Sequence, residues 1–127
     1  MTATQELYDT LYQNLEVKYS VYEALPQEEV DYPFIVLGQI QQVNSNYKTA
    51  IGKTLNITID VWGDSESRFS VDQIMNDIDE ISTIGSKNYY FLKRINESDS
   101  QILHDNSTEK DLLHGILNLA FTIERKR

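Results

Sequence analysis

The chain has 127 residues, no cysteine, and 20 acidic against 11 basic residues, for a formal net charge of -9. Its length suits one domain, 1–127, with a buried core, and its 40% hydrophobic and 24% charged content is that of a globular protein. The absence of cysteine excludes a disulfide framework, a thiol nucleophile and a cysteine zinc site, no apolar run nears the ~20 residues that span a bilayer, and the excess of acid opposes non-specific affinity for nucleic acid or an anionic membrane.

Met1–Glu6 has neither the basic nor the apolar region of a secretory signal, so an intracellular setting is expected. Thr2 and Gln5 have the spacing of a helix capping box, and Leu7, Leu11 and Leu15 with Tyr8 and Tyr12 make one apolar stripe, predicting a helix from Thr2 or Thr4 to about Asn14. Val17-Lys18-Tyr19-Ser20-Val21-Tyr22 has apolar odd positions and reads as a short strand, broken by Pro26. After Pro33, the quartet Phe34-Ile35-Val36-Leu37 predicts a strand buried on both faces that extends through Ile40 and Val43. Residues 44–53 read as a polar loop or the tip of a long hairpin.

Leu55, Ile57, Ile59 and Val61 then alternate with Asn56, Thr58, Asp60 and Trp62, the clearest period-two pattern in the chain. One face of that strand must meet a core, and the other is open to water or a partner. Val71, Ile74, Met75, Ile78 and Ile81 follow helical spacing, with Ser67 or Ser70 as candidate caps and Gly85 as a candidate stop. Tyr89–Leu92 with Ile95 predicts a further strand, Asn96–Ser100 a turn, and Gln101–His104 a continuation of the ladder. Asn106-Ser107-Thr108 is a second turn signal, and the last strand carries Leu117, Leu119, Phe121 and Ile123 on one face. The order α-β-β-β-α-β-β gives an α+β domain: a mainly antiparallel sheet with two amphipathic helices on one face.

The acid is uneven. Residues 1–40 carry net -6 and residues 65–84 net -4, whereas 41–64 balance and 85–127 carry +1. No catalytic constellation emerges. His104 and His114 lack metal-ligand spacing. Glu28-Glu29 and Asp79-Glu80 are sequence neighbours, not carboxylates set across a cleft. The glycines are isolated, and there is no nucleophile elbow. No catalytic, cofactor-binding or metal-binding residue is expected, and the three N-x-S/T matches at Asn56, Asn96 and Asn106 are chance in a chain without a secretory signal. The remaining features suit assembly. Eight tyrosines and a tryptophan are many for this size, and aromatic residues are enriched at interfaces. Trp62 sits on the polar face of the best strand, and Tyr47, Lys48 and Ile51 lie in the long loop, where an apolar residue between polar ones can dock on a neighbour. Arg125, in the terminal Arg125-Lys126-Arg127, can touch a phosphate, pair with an acid or simply solubilise the tail.

Tyr32-Pro33-Phe34-Ile35-Val36-Leu37-Gly38, then Ile59-Asp60-Val61-Trp62-Gly63, then Ile74-Met75-Asn76-Asp77-Ile78, in this order and at this size, resemble the small tail-completion proteins of long-tailed bacteriophages, also called tail terminators or head-tail joining proteins. The resemblance covers about residues 5–125. It implies a structural virion protein that forms a ring, typically a hexamer, on the head-proximal end of the tail tube. Such a ring stops tube polymerisation, contacts the tail tube protein and the head connector, and lets DNA pass without specific binding, with no cofactor, catalysis or membrane. The family marks no interface residue by a fixed motif, so none is carried over. A different class remains open from the charge alone: a small acidic DNA mimic that inhibits a host nucleic-acid-binding protein. Such a mimic needs one continuous acidic face, whereas here the acidic segments are separated by neutral strands.

Overall fold

The computed structural model describes residues 1–44, 53–107 and 109–127. Helix α1, Ala3–Glu16, begins where Thr2 Oγ1 accepts a hydrogen bond from the Gln5 amide at 3.2 Å. Only half of the expected capping box forms, because the Gln5 side chain reaches forward to Asp9 at 2.8 Å. Leu7, Leu11 and Leu15 are buried as their spacing predicts. The next strand is much shorter than expected: β1 is only Val21–Tyr22, and Val17 is 82% exposed. The helix runs two residues past Asn14, and the amides of Lys18 and Tyr19 both bond back to Leu15 O, so residues 17–20 turn instead of extending.

Strand β2, Phe34–Asn44, and strand β3, Lys53–Asp64, form a long antiparallel hairpin. Phe34 to Leu37 are all buried, as expected for a strand covered on both sides. A bulge between Leu37 and Ile40 shifts the register, so Ile40 pairs Ile57 on the inner face while Val43 pairs Thr54 and faces outward. Strand β3 alternates strictly between buried and half-exposed residues from Thr54 onward.

Helix α2 is Arg68–Asp79, preceded by a 3-10 turn, Ser65–Ser67. Ser70 caps nothing. Ser67, the other expected cap, does take the N-cap position of α2, but its side chain bonds no helix amide; Asp64 caps the preceding 3-10 turn, its Oδ1 accepting from the Glu66 amide at 3.2 Å and from the Ser67 hydroxyl at 2.5 Å. Gly85 does not stop the helix, which closes when the Glu80 amide bonds Asn76 O. Gly85 lies instead in β4, Thr83–Gly85. Strands β5, Tyr89–Lys93, β6, Asp99–Asp105, and β7, Leu112–Arg125, complete the chain. The expected α-β-β-β-α-β-β succession is present, with the short strand β4 added to it and the ladder expected at Gln101–His104 formed as β6.

The sheet order is β1-β2-β3-β7-β5-β4, and β6 pairs with β7 beside β5. Among the described residues only the β1–β2 pairing is parallel. Strand β7 holds the architecture together: β3 runs along one edge, while β5 and β6 share the other. The core lies between the inner face and both helices, with Ile35, Leu37, Ile57, Ile59, Leu117 and Phe121 meeting the α1 and α2 stripes. Helix α2 comes close because glycine stands beneath it: a Cβ at Gly115 would lie 2.5 Å from Met75 Sδ, and one at Gly63 would collide with Val71.

Polar contacts help to lock the helices. Glu6, 5% exposed, accepts hydrogen bonds from Ser86 Oγ at 2.8 Å and from Asn88 N and Nδ2, each at 3.0 Å. The Asn88 amide side chain, opposed by burial and helped by Ser86, holds its carboxyl below the usual range. Tyr19 donates to the Asp77 carboxylate. Burial first, then that acceptor, pushes the Tyr19 phenol up to about 12, and the same bond lowers Asp77.

Candidate interaction surface

The outer face of the sheet is divided. Near the middle it is polar: Thr58 bonds Asn118 at 3.0 Å, and Asn118 bonds Asp99 at 2.9 Å. Toward the end where Phe34 pairs Trp62, it turns aromatic. Trp62 stacks on His114, ring centroids 3.8 Å apart and planes 11° from parallel, and His114 Nε2 lies 2.7 Å from Asp60 Oδ1. Register explains the cluster, since Trp62 pairs His114 and Asp60 pairs Ile116 across β3–β7. Phe34 stacks with Tyr32 and meets Tyr22 edge-on.

The segment between β1 and β2 passes over this aromatic end and leaves a cleft of about 290 Å³. Tyr32, Phe34, Trp62 and Leu112 supply its sheet side, Leu25, Pro26 and Val30 its other wall, and Glu28, Glu29 and Asp105 its acidic rim. The Asp105 carboxyl is held low by the Ser107 hydroxyl at 2.5 Å and the Ser107 amide at 2.8 Å. Glu29 has a cation beside it, Lys110 Nζ at 3.4 Å, and both are exposed.

Trp62 therefore faces outward as expected, but it is half-buried in a cleft wall and not displayed alone. Tyr47, Lys48 and Ile51 lie outside the described residues. Arg125 is exposed at the far end of β7, where it pairs Tyr89; Thr54 pairs Thr122 close by, so Arg125 and Lys53 share the sheet end opposite Trp62. Its neighbour Lys126 is occupied, bonding Ser86 O at 2.5 Å and lying 4.7 Å from the Tyr90 ring centre. His104 Nδ1 lies 3.7 Å from Asp111 Oδ1. Among the described residues no cluster of His, Asp and Glu is suited to a metal ion, and no helix is long and apolar enough to cross a membrane. Sequence reasoning missed Leu25, Tyr32, Leu112 and His114 as parts of one surface. The available signal was the outward parity of Phe34 and Trp62, two large aromatics on strands expected to pair.

A family model described as "Tail completion protein gp17" matches residues 5–124. The chain belongs to this family. Its role is structural, in the completion of a phage-type virion tail. A chain from the solved structure "Virion of native gene transfer agent (GTA) particle" has the same fold as this tail-completion protein. It aligns over 98% of both chains with a TM-score of 0.67 at 14% identity. No curated protein matches the sequence.

Proposed function

We propose that this tail-completion protein assembles as a ring, a hexamer, at the head-proximal end of the tail tube. There it ends tube polymerisation and presents a surface to the head connector, while DNA passes through its opening without specific contacts. It acts by shape and carries out no catalysis. Assembly takes place in the host cytoplasm. The family match over nearly the whole chain carries this reading. The two ends of the sheet give it physical support. A ring needs a heterologous interface, two different patches on each copy, and the aromatic acidic cleft and the basic end at Lys53 and Arg125 are such a pair. The excess of acid suits a passage that must not retain a phosphate backbone.

The test is to remove the gene from the particle-producing genome and image the products. Headless tails of uncontrolled length are expected. Tails of normal length joined to heads without this protein would overturn the reading.

A further inference from the structure

We propose that the sheet continues from one copy to the next: β6 of each protomer adds, antiparallel, to the part of β2 that lies beyond β1 in its neighbour. The inference rests on the ring reading above and names the strands that join. Strand β1 pairs only Ile35 and Val36 of β2. From Leu37 to Asn44, no strand among the described residues lies on that side of β2. Helix α1 does not close the gap. Thr4, Gln5 and Tyr8 stand across a groove of about 460 Å³ from Gly38 and Ile40, which leaves room for an extended chain. On the other side of the sheet β6, seven residues long, pairs β7 along one edge and no described strand along the other. Strand β4 is also an edge, but it has only three residues.

Open edges are commonly guarded by Lys, by Pro or by a bulge. The bulge in β2 lies before Ile40, and the ladder is regular after it. Ile40-Gln41-Gln42-Val43-Asn44 has no charge and no proline, and Ser100-Gln101-Ile102-Leu103-His104 has no Lys, Arg or Pro, with acid only at its flanks, Asp99 and Asp105. With Gln42 set opposite Ile102, the two runs match along their whole length. Val43 and Leu103, 40% and 45% exposed, then share the outer face, and the half-buried Ile40 and Ile102 share the inner one. Each pair becomes diagonal cross-strand neighbours and loses water on joining. The acidic flank Asp99 is set toward the neighbour's Lys53, opposite charges in a chain of net charge -9.

Strand direction and offset suit a closed ring. β2, β3, β7 and β6 alternate in direction, so rotation about an axis along the sheet brings β6 of one copy antiparallel to β2 of the next. Within one copy Ile102 is level with Gly115, Val61 and Ile35, whereas Gln42 is level with Leu55. The junction therefore steps along β3 from Val61 to Leu55, roughly 20 Å at ~3.3 Å per residue, while the four strands of a copy span roughly 19 Å at ~4.8 Å each. Strands so offset tilt by roughly 45°, at the upper end of the about 35–45° found where sheets close on themselves.

The chain has no cysteine, so a disulfide reports only an engineered pair. Gln41→Cys with Leu103→Cys, directly opposite in the proposed register, is placed in the particle-producing genome, and purified particles are oxidised. The expected result is a covalent series of this protein up to the ring number, absent from either single variant. Normal incorporation with no such series, from this pair or from Val43→Cys with Leu103→Cys in the adjoining register, overturns the inference. So does a series formed by Gln41→Cys with Thr83→Cys on β4 instead. A lysine-reactive cross-linker on unmodified particles reads the ring separately: oligomers there without the disulfide series sink the strand junction alone, and oligomers in neither sink the ring as well. If the cysteine pairs are not incorporated, a charge cycle decides. Leu103→Glu should lower incorporation about tenfold, and adding Gln41→Lys should restore it to within about threefold. An unaffected Leu103→Glu, or a combination as poor as Leu103→Glu alone, overturns the inference.

Discussion

On β3, Leu55, Ile57, Ile59 and Val61 are at most 1% exposed beneath the helices, whereas Asn56, Thr58, Asp60 and Trp62, each one residue away, keep part of their surface in water. The same strand thus has an aliphatic face fixed by packing and an outer face shared between hydrogen-bonded polar groups and an aromatic cleft. Inner positions answer to the volume between sheet and helices, so a change there is read as stability. The contacts of the outer positions include the Trp62–His114 stack, the Asp60–His114 contact and the Thr58–Asn118–Asp99 bonds. A change there should be read in the assembled tail.

The largest stability effect is expected at Phe121, fully buried on the inner face. Phe121→Ala removes about 3–5 kcal/mol in urea unfolding, from lost burial and the cavity left behind. Gly63→Ala comes next, at about 1–3 kcal/mol, because the new methyl meets the stiff side chain of Val71 and helix α2 must lift. If Gly63→Ala were neutral, the helix would be looser on the sheet than its packing indicates.

These inner-face features were legible in the sequence because they are local periodicities. The Leu7-Leu11-Leu15 stripe, Val71, Ile74, Met75 and Ile78 of α2 and the alternation of β3 each lie within one element and are buried as their spacing requires, whereas Ile81, expected to extend the α2 stripe, falls beyond the helix end and is only partly buried. What was not legible depends on residues far apart in the chain. Asp60 meets His114, Glu6 meets Ser86 and Asn88, and Tyr19 meets Asp77 only after the sheet and helices have assembled. The same holds for the cleft, which joins Leu25, Phe34, Trp62 and Asp105 from four segments. Residues 17–22 misled for a simpler reason. Their alternation is real, but a helix reaching Glu16 and turning back onto Leu15 uses the backbone that a strand would need.

Acid should loosen the helix-covered side. The carboxyls of Glu6 and Asp77 are lowered from ordinary values of 4.5 and 3.8. Their stabilisation is complete above the unfolded values and is lost as pH falls through and below the lower folded ones. The urea midpoint should therefore drop between neutral pH and about pH 3, and Glu6→Gln should flatten part of that slope. A Glu6→Gln variant with an unchanged slope would mean that the carboxylate clamp on β4–β5 is not what holds α1.

Trp62→Ala separates the two faces most directly. Its expected cost is about 1–2 kcal/mol, for a stack and a half-buried ring, well below that of Phe121→Ala. Its incorporation into particles should nevertheless fall by about tenfold or more under the ring reading proposed above, since a central aromatic of an interface carries a large share of binding. Equal losses in the two assays would make Trp62 another core residue and erase the distinction between the faces at this end of the sheet.

The smallest effect is expected in the middle of the outer face. Asn118 is exposed, and it bonds Thr58 and Asp99 across two strand pairs. Asn118→Ala removes both bonds but leaves Thr58 and Asp99 open to water, which replaces the lost partner at little cost, so stability should change by about 0.5–1 kcal/mol. The comparison with Leu117 and Leu119, its fully buried neighbours on β7, is then internal to one strand. If Asn118→Ala destabilised the chain as much as Leu117→Ala, the polar bonds across β6, β7 and β3 would be holding the sheet together, and the outer face could not be treated as surface left free for the tail.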